Sequence, residues 1–376
     1  MDRQQDILDT LTLSLIPQVG NVTFEQLVNL FKSPKNVLNA TKGDFKAHNC
    51  DPQIINNILN NKDQALSTAE KELNFIEKNN IRTFLKTDPD YPYRLQQCHG
   101  APNILFGLGN FNSNQKHCMA IVGTRRCTDY GKKMVEKIVG ELAENMSDLQ
   151  IISGLASGID TYAHQAAVNN HVETVGILGN GLNKIYPAAN KRLAKQMLEN
   201  GGLLTEYFST KADTDASNFA LRNRIIAGMS DCILVAEAPQ RSGALITATY
   251  GQAYDRTICA LPGKTTDLTS EGCNYIIREN IACMITNTSD ILKEMNWDLF
   301  PSKRQTPPPK KTIKITKKLD ETEQQIVAQL QNKGQLNIDE LCLATNINIS
   351  ILTKTLLSLE FDDILECLPG KRYQLK

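Results

Sequence analysis

A guanidinium in a glycine-rich loop directly after a buried strand is equipment for holding phosphate, and this chain offers that arrangement repeatedly. Arg125 lies in Gly123-Thr-Arg-Arg-Cys-Thr-Asp-Tyr-Gly131, immediately after the apolar run 118–122. The loops Ser153-Gly-Leu-Ala-Ser-Gly-Ile-Asp160 and Gly179-Asn-Gly181 follow two further apolar runs, with Arg222-Asn-Arg224 and Ser242-Gly243 later. Gly123, Gly154 and Gly158 allow close backbone approach, and helix starts near Tyr130 and Ser242-Gly243 turn free amides toward an anion. Arginine adds a charged fork, Thr247 another hydroxyl, and Phe219 and Tyr186 offer faces on which bases can stack. A row of such loops suits an extended phosphate chain better than one nucleotide. Arg222 and Arg224 are two positions apart, roughly 200° around a helix, so one is expected to meet phosphate and the other to be structural.

The same residues fit catalysis poorly. After Gly179-x-Gly181, Lys184 stands where a dinucleotide fingerprint needs its third glycine, and the second strand ends in Ser153-Gly154 rather than an acid for a ribose. No Walker lysine motif occurs. Ser153, Ser157, Asp160 and His164 are close in sequence, but Asp160 stands where a helix needs its N-cap. Glu237 ends a strand as a lone acid. No nucleophile, acid and base form a set, so the expectation is a binding protein rather than an enzyme, without a cofactor.

Positioning these loops requires a sheet. Strands are predicted over 118–122, 150–153, 172–178, 203–206, 232–237, 257–261 and 282–286. Helices are predicted over 130–145, from 160, over 190–199, 218–229, 244–254 and 274–278. Strict alternation implies right-handed crossovers and a mostly parallel sheet covered by helices on both faces, an α/β Rossmann-like fold whose carboxyl edge collects the loops. Four segments are expected: a small helical domain (1–75), the extended Rossmann-like domain (76–297), a basic Pro-rich linker (298–318) and a winged helix (319–376). In the first, a turn at Pro17–Gly20 fits either a helix-hairpin-helix or a plain helical bundle, and few basic residues flank it. The stretch 88–110 reads as an extended lead-in packed on the sheet. Around Pro307-Pro-Pro309 seven lysines or arginines occur with no acid, which keeps such a chain extended.

Composition narrows the partners. The 376 residues carry 41 basic and 41 acidic side chains, so a nucleic acid must be held by a local patch. Ten scattered cysteines without a C-x-x-C pair, and five histidines, fit buried thiols and helix residues better than metal ligands, Cys273 with Cys283 and His164 with His171 included. No signal peptide or long apolar span is read, so a reduced cytoplasmic protein without a membrane partner is expected. From Leu319 to Lys376 nine acids face five bases, and the expected recognition helix offers only Lys354. A protein-contacting or DNA-mimicking role for the winged helix is expected, with the linker free to touch DNA.

Six segments, in order, resemble the DNA-processing protein DprA (Smf) family. They are 121–131, 153–160, Gly179-Asn-Gly-Leu-Asn-Lys-Ile-Tyr-Pro-Ala-Ala-Asn190, Asn218-Phe-Ala-Leu-Arg-Asn-Arg-Ile-Ile-Ala-Gly228, Ser242-Gly-Ala-Leu-Ile-Thr-Ala248 and Leu261-Pro-Gly263. The resemblance covers the central domain, about half the chain, and the flanks more loosely. It implies a mediator that binds single-stranded DNA during natural transformation, protects it, loads the RecA recombinase and forms a homodimer through the central domain. Carried over, Arg125 and Ser157–Gly158 become phosphate contacts, with Gly123, Thr124 and Gly154 beside them. Phe219, Arg222, Asn223, Arg224, Ser242 and Gly243 become a neighbouring wall, Lys264 adds charge, and Thr128 keeps a hydroxyl where relatives often have serine. The competing resemblance is to lysine-decarboxylase-like phosphoribohydrolases, but 242–248 lacks the glutamate that follows their Pro-Gly-Gly-x-Gly-Thr loop.

Overall fold

The computed structural model describes residues 3–210, 216–297 and 319–375, apart from 334, 346, 363 and 369–371. The chain divides into two compact units, Met1–Pro301 and Ser302–Lys376. The expected linker, 298–318, and the expected turn at Pro369-Gly370 lie outside the described residues.

Nine strands form one sheet in the first unit: β1 (Arg82–Leu85), β2 (Ile104–Asn110), β3 (His117–Val122), β4 (Leu149–Ser153), β5 (Glu173–Ile177), β6 (Gly201–Thr205), β7 (Cys232–Val235), β8 (Thr257–Ala260) and β9 (Cys283–Met284). Their order is β1-β2-β6-β5-β4-β3-β7-β8-β9. Every pairing from β6 to β9 is parallel, whereas β2 joins β6 antiparallel and β1 joins β2 antiparallel. All seven expected strands are present, each within about two residues of its expected ends. The lead-in differs: 104–110, expected only as an extended wrap, adds β2 to the sheet, and 82–85 adds β1 beyond it.

Both faces of the parallel region are dry. In β3 every residue is buried. Cys118, Ala120 and Val122 join one apolar cluster, while Met119 and Ile121 join another on the opposite face. Period-two alternation of a strand places them so. The helix Asp129–Asn145 contributes Val135, Ile138, Val139 and Leu142 to the second cluster.

The N-terminal helices continue into the sheet instead of ending near residue 75. The helix Pro52–Lys78 runs through that point. Ile7, Leu11, Ala69 and Ile76 share a cluster with Ile81, Leu85, Ile104 and Phe106 of the β1–β2 edge. From the same long helix, the buried carboxylate of Glu72 accepts the N–H groups of Ser209 (2.8 Å) and Thr210 (2.8 Å) and the hydroxyl of Thr210 (2.6 Å). At Pro17–Gly20 the chain turns between helices Arg3–Ser14 and Asn21–Phe31, with Ile16, Val19 and Phe24 in a helical core. That packing favours the bundle over a DNA-contacting hairpin.

The second unit has helices Glu321–Lys333, Ile338–Thr345 and Ile349–Phe361, then β11 (Leu365–Leu368) paired with β12 (Arg372–Leu375). A short β10 (Gln335–Asn337), absent from the expectation, pairs with β12 and completes a winged helix. Ile349, Ile351 and Leu357 are exposed on its third helix. Among the described residues, no helix is long and apolar enough to cross a membrane, and no group of three or more His, Cys, Asp or Glu could hold a metal.

Candidate nucleic-acid interface

The chain moves outward from β3 through β4, β5 and β6, then returns to place β7 on the other side of β3. At such a switch point the loops leaving neighbouring strands part and leave a crevice. A cavity of about 450 Å³ occupies it, lined by Gly123–Arg126 after β3, Ala156 and Asp160 after β4, Phe219, Ala220, Arg222 and Asn223, and Ser242–Ala244 with Thr247 after β7. Of the residues expected at the site, Gly123, Thr124, Arg125, Phe219, Arg222, Asn223, Ser242 and Gly243 meet here. Gly154, Ser157, Gly158, Thr128, Arg224 and Lys264 do not line it.

The rim is cationic. Arg125 and Arg126 are exposed, and neither has an ion-pair partner among the described residues. Arg126 is not among the residues expected at the site, although its adjacency to Arg125 is a readable signal. Their loop is tied at its start: Thr124 N–H donates to the carbonyl of Glu237 (2.7 Å), and the Thr124 carbonyl accepts from Ile159 N–H (3.2 Å). Gly158 crosses beneath with φ +79°, and a Cβ there would press into the backbone of Thr124 and Arg125. Its lack of a side chain lets the two loops touch.

The floor holds a buried cation and a buried acid, each bonded to backbone groups rather than to the other. Arg222 Nη1 donates to the carbonyl of Gly154 (2.6 Å) and to that of Ile177, while Nε donates to Asn223 Oδ1 (3.2 Å). Asp160 accepts from the N–H groups of Gly154 (3.1 Å) and Ala156 (3.3 Å). Burial pulls the Arg222 guanidinium down to about 10, against the attraction of Asp160. Burial also pushes the Asp160 carboxyl up, against Arg222 and the two amides. For both groups desolvation outweighs the attraction of the other's charge. Asp160 is thus a clamp on the 154–156 loop, and the N-cap of the helix Ile159–Asn169 is Gly158, not Asp160 as expected.

Three further expectations are corrected. Arg224 is not in the cavity; it is paired with Glu206, both side chains largely buried. The expected continuous helix 218–229 is two short ones, Ala216–Leu221 and Asn223–Gly228, with Arg222 between them. A separation of roughly 200° holds only on one unbroken helix. Thr128, expected as a DNA contact, N-caps the helix Asp129–Asn145 by accepting from Gly131 N–H (3.4 Å) and donates its hydroxyl to Glu237 (2.6 Å).

The aromatic pair is adjacent: Tyr186 and Phe219 have ring centroids 5.2 Å apart, tilted by 46°, and Tyr186 is 49% exposed. Ser242 N-caps the helix Gly243–Ala253 without a side-chain cap bond, and its shielded hydroxyl has no partner among the described residues. Ser157 and Lys264 are exposed on loops outside the cavity lining. His164 is fully buried, its Nδ1 2.7 Å from the Thr174 hydroxyl, and burial followed by the Arg222 charge pulls it down to about 3. It is a neutral core residue.

Comparison with known proteins agrees with this architecture. The sequence profile of the family described as DNA recombination-mediator protein A matches residues 82–296, and that of the DprA winged helix domain matches 305–371. The DNA processing protein DprA of Streptococcus pneumoniae is 40% identical over 215 residues, covering 57% of this chain and 74% of that protein. The protein Smf of Synechocystis is 32% identical over 327 residues, covering 79% of this chain and 81% of that protein. An X-ray structure of DprA from Streptococcus pneumoniae superposes with a TM-score of 0.60 at 30% identity, over 78% of this chain and 98% of that one. A Helicobacter pylori DNA processing protein A structure, described for its single-stranded DNA binding mode, gives a TM-score of 0.52 at 26% identity, over 58% of this chain and 96% of that one. The chain belongs to the DNA recombination-mediator protein A family, also called DprA or Smf.

Proposed function

We propose that this protein is a recombination mediator that grips single-stranded DNA along the carboxyl rim of its central sheet and leaves the strand chemically unchanged. The observation that carries the reading is the pairing of two unpartnered, exposed guanidiniums, Arg125 and Arg126, with a cavity at the switch point whose floor cation is already engaged by two backbone carbonyls. A trough of that kind attracts phosphates at its rim and leaves room for a base between Phe219 and the Ser242 hydroxyl. The acids near it are committed: Asp160 to two amides, Glu237 to Thr128. That supports binding over group transfer. The Helicobacter pylori relative's single-stranded DNA binding mode supports the same ligand.

The finer reading follows the family. The protein protects DNA entering the cytoplasm during natural transformation, hands it to the RecA recombinase and works as a homodimer through the Rossmann-like domain. The winged helix, rich in acids, takes a protein partner rather than duplex DNA, because its charge repels phosphate. A gel shift comparing single-stranded with duplex oligonucleotides, followed by a strand-exchange assay with RecA, tests this. Preference for the single strand, with a log–log salt slope of about −0.7 per phosphate neutralised, is the expected result. Equal affinity for duplex, or release of free base from nucleoside monophosphates, overturns it.

A further inference from the structure

Glu237 sits at the end of β7, buried to 2% exposure, beneath a loop whose outer residues are both arginines. Its charge alone opposes the binding of a polyanion at that rim. Its hydrogen bonds explain why an acid is there. The backbone carbonyl of Glu237 accepts Thr124 N–H at 2.7 Å, one end of the loop. At the other end its carboxylate accepts Thr128 N–H at 2.8 Å through Oε2 and the Thr128 hydroxyl at 2.6 Å through Oε1. One residue therefore holds both feet of a three-residue arch, Arg125-Arg126-Cys127. The fit is tight: a Cβ on Gly131, in the first turn of the following helix, would strike the carboxylate.

We infer that Glu237 is the positioning residue of the arginine arch, fixing Arg125 and Arg126 over the cavity so that phosphate binding needs no reordering of the loop. This rests on the proposed single-strand binding. Ordering a free loop at the moment of binding would cost backbone entropy, and an arch fixed beforehand has that cost removed. The loop is held from outside itself, by a neighbouring strand of the sheet. The carboxylate's repulsion is muted because two donors, the Thr128 amide and hydroxyl, face it.

The test uses the full chain and a labelled deoxythymidine oligonucleotide. In Glu237→Gln the shape is kept, but an amide group now faces two donors. We expect affinity to fall by about tenfold, the size of one charge-assisted hydrogen bond. The salt slope should become shallower by about 0.7 for each phosphate that is no longer neutralised, and hydrogen exchange over residues 123–128 should accelerate. Where both arginines are already alanine, Glu237→Gln should change affinity by less than about twofold, since coupled residues are non-additive. Thr128→Val removes one donor and leaves the carboxylate; it should bind more weakly than Thr128→Ser, which covers the case in which Glu237→Gln fails to fold.

Unchanged or tighter binding by a folded Glu237→Gln protein, as charge removal alone predicts, overturns the inference. So does an equal loss in the background lacking both arginines. If Arg125→Ala binds as the unaltered protein does, the single-strand reading falls and this inference with it. If Arg125→Ala weakens binding and Glu237→Gln does not, only the positioning role falls.

Discussion

Two arginine pairs, alike in sequence, have opposite fates in this molecule. Arg125 and Arg126 follow β3 on an exposed arch, and they reach solvent without an acidic partner among the described residues. Arg222 stands at, and Arg224 just past, a break between two short helices, where the ends of β4 and β5 bring carbonyls within reach of Arg222. Arg222 is consumed by Gly154, Ile177 and Asn223, and Arg224 by Glu206. What separates a ligand-seeking cation from a structural one is the supply of acceptors around it, because a buried guanidinium must satisfy its donors within the protein.

The comparison can be broken at its strongest point first. Arg222→Ala should cost about 3–5 kcal/mol of stability, because it leaves the buried carbonyls of Gly154 and Ile177 without their donor and takes away the cation that favours the Asp160 charge, and urea unfolding would show it. A loss under about 1 kcal/mol would mean the floor is not held by these bonds. Arg125→Ala should leave stability within about 0.5 kcal/mol yet weaken single-strand binding by about 1–3 kcal/mol in a fluorescence titration. An unaffected affinity would remove Arg125 from the ligand-seeking class.

The reach of the buried cation can be read through His164. Folded, its imidazole stays neutral because burial, then Arg222, pulls it down to about 3. Unfolded, it takes up a proton near 6.5. Its contribution is therefore intact above that value and is lost as pH falls from 6.5 toward 3, by at most about 1.4 kcal/mol per pH unit. Urea midpoints at pH 7.5 and 5.5 should diverge less in His164→Gln than in the unaltered protein; equal divergence would exclude the residue. The smallest expected effect is on DNA: Arg224→Ala, measured well below its unfolding temperature, should change affinity by less than about 0.5 kcal/mol. A loss matching that of Arg125→Ala would erase the distinction between the pairs.

Much of the fold was legible because the parallel strands, buried on both faces, read as unbroken apolar runs such as 118–122, and the loops after them carry glycine. Edge elements were not, since β1 and β2 derive their pairing from β6 and from the helices packed on them, which no local periodicity encodes. At the site, Gly123, Arg125, Phe219 and Ser242 were readable from loop position. The commitments of Thr128 and Arg224 were not, because each depends on a partner from a different strand or loop: Glu237 is 109 residues from Thr128 in the chain. Sequence adjacency proposes which groups are near a ligand; only tertiary partners decide which of them are free.

The family profile begins at residue 82, yet the structure gives no clean place to cut there. A truncated chain starting at that point would lose Glu72, leaving the Ser209 and Thr210 amides, on the way from β6 to Phe219, without their acceptor. It would also bare the Phe106 and Ile104 edge now shielded by Ile7, Leu11 and Ala69. The leading helices thus behave as a splint for the aromatic side of the groove, and a minimal fragment that keeps every groove residue would still inherit a loosened wall and a sticky flank.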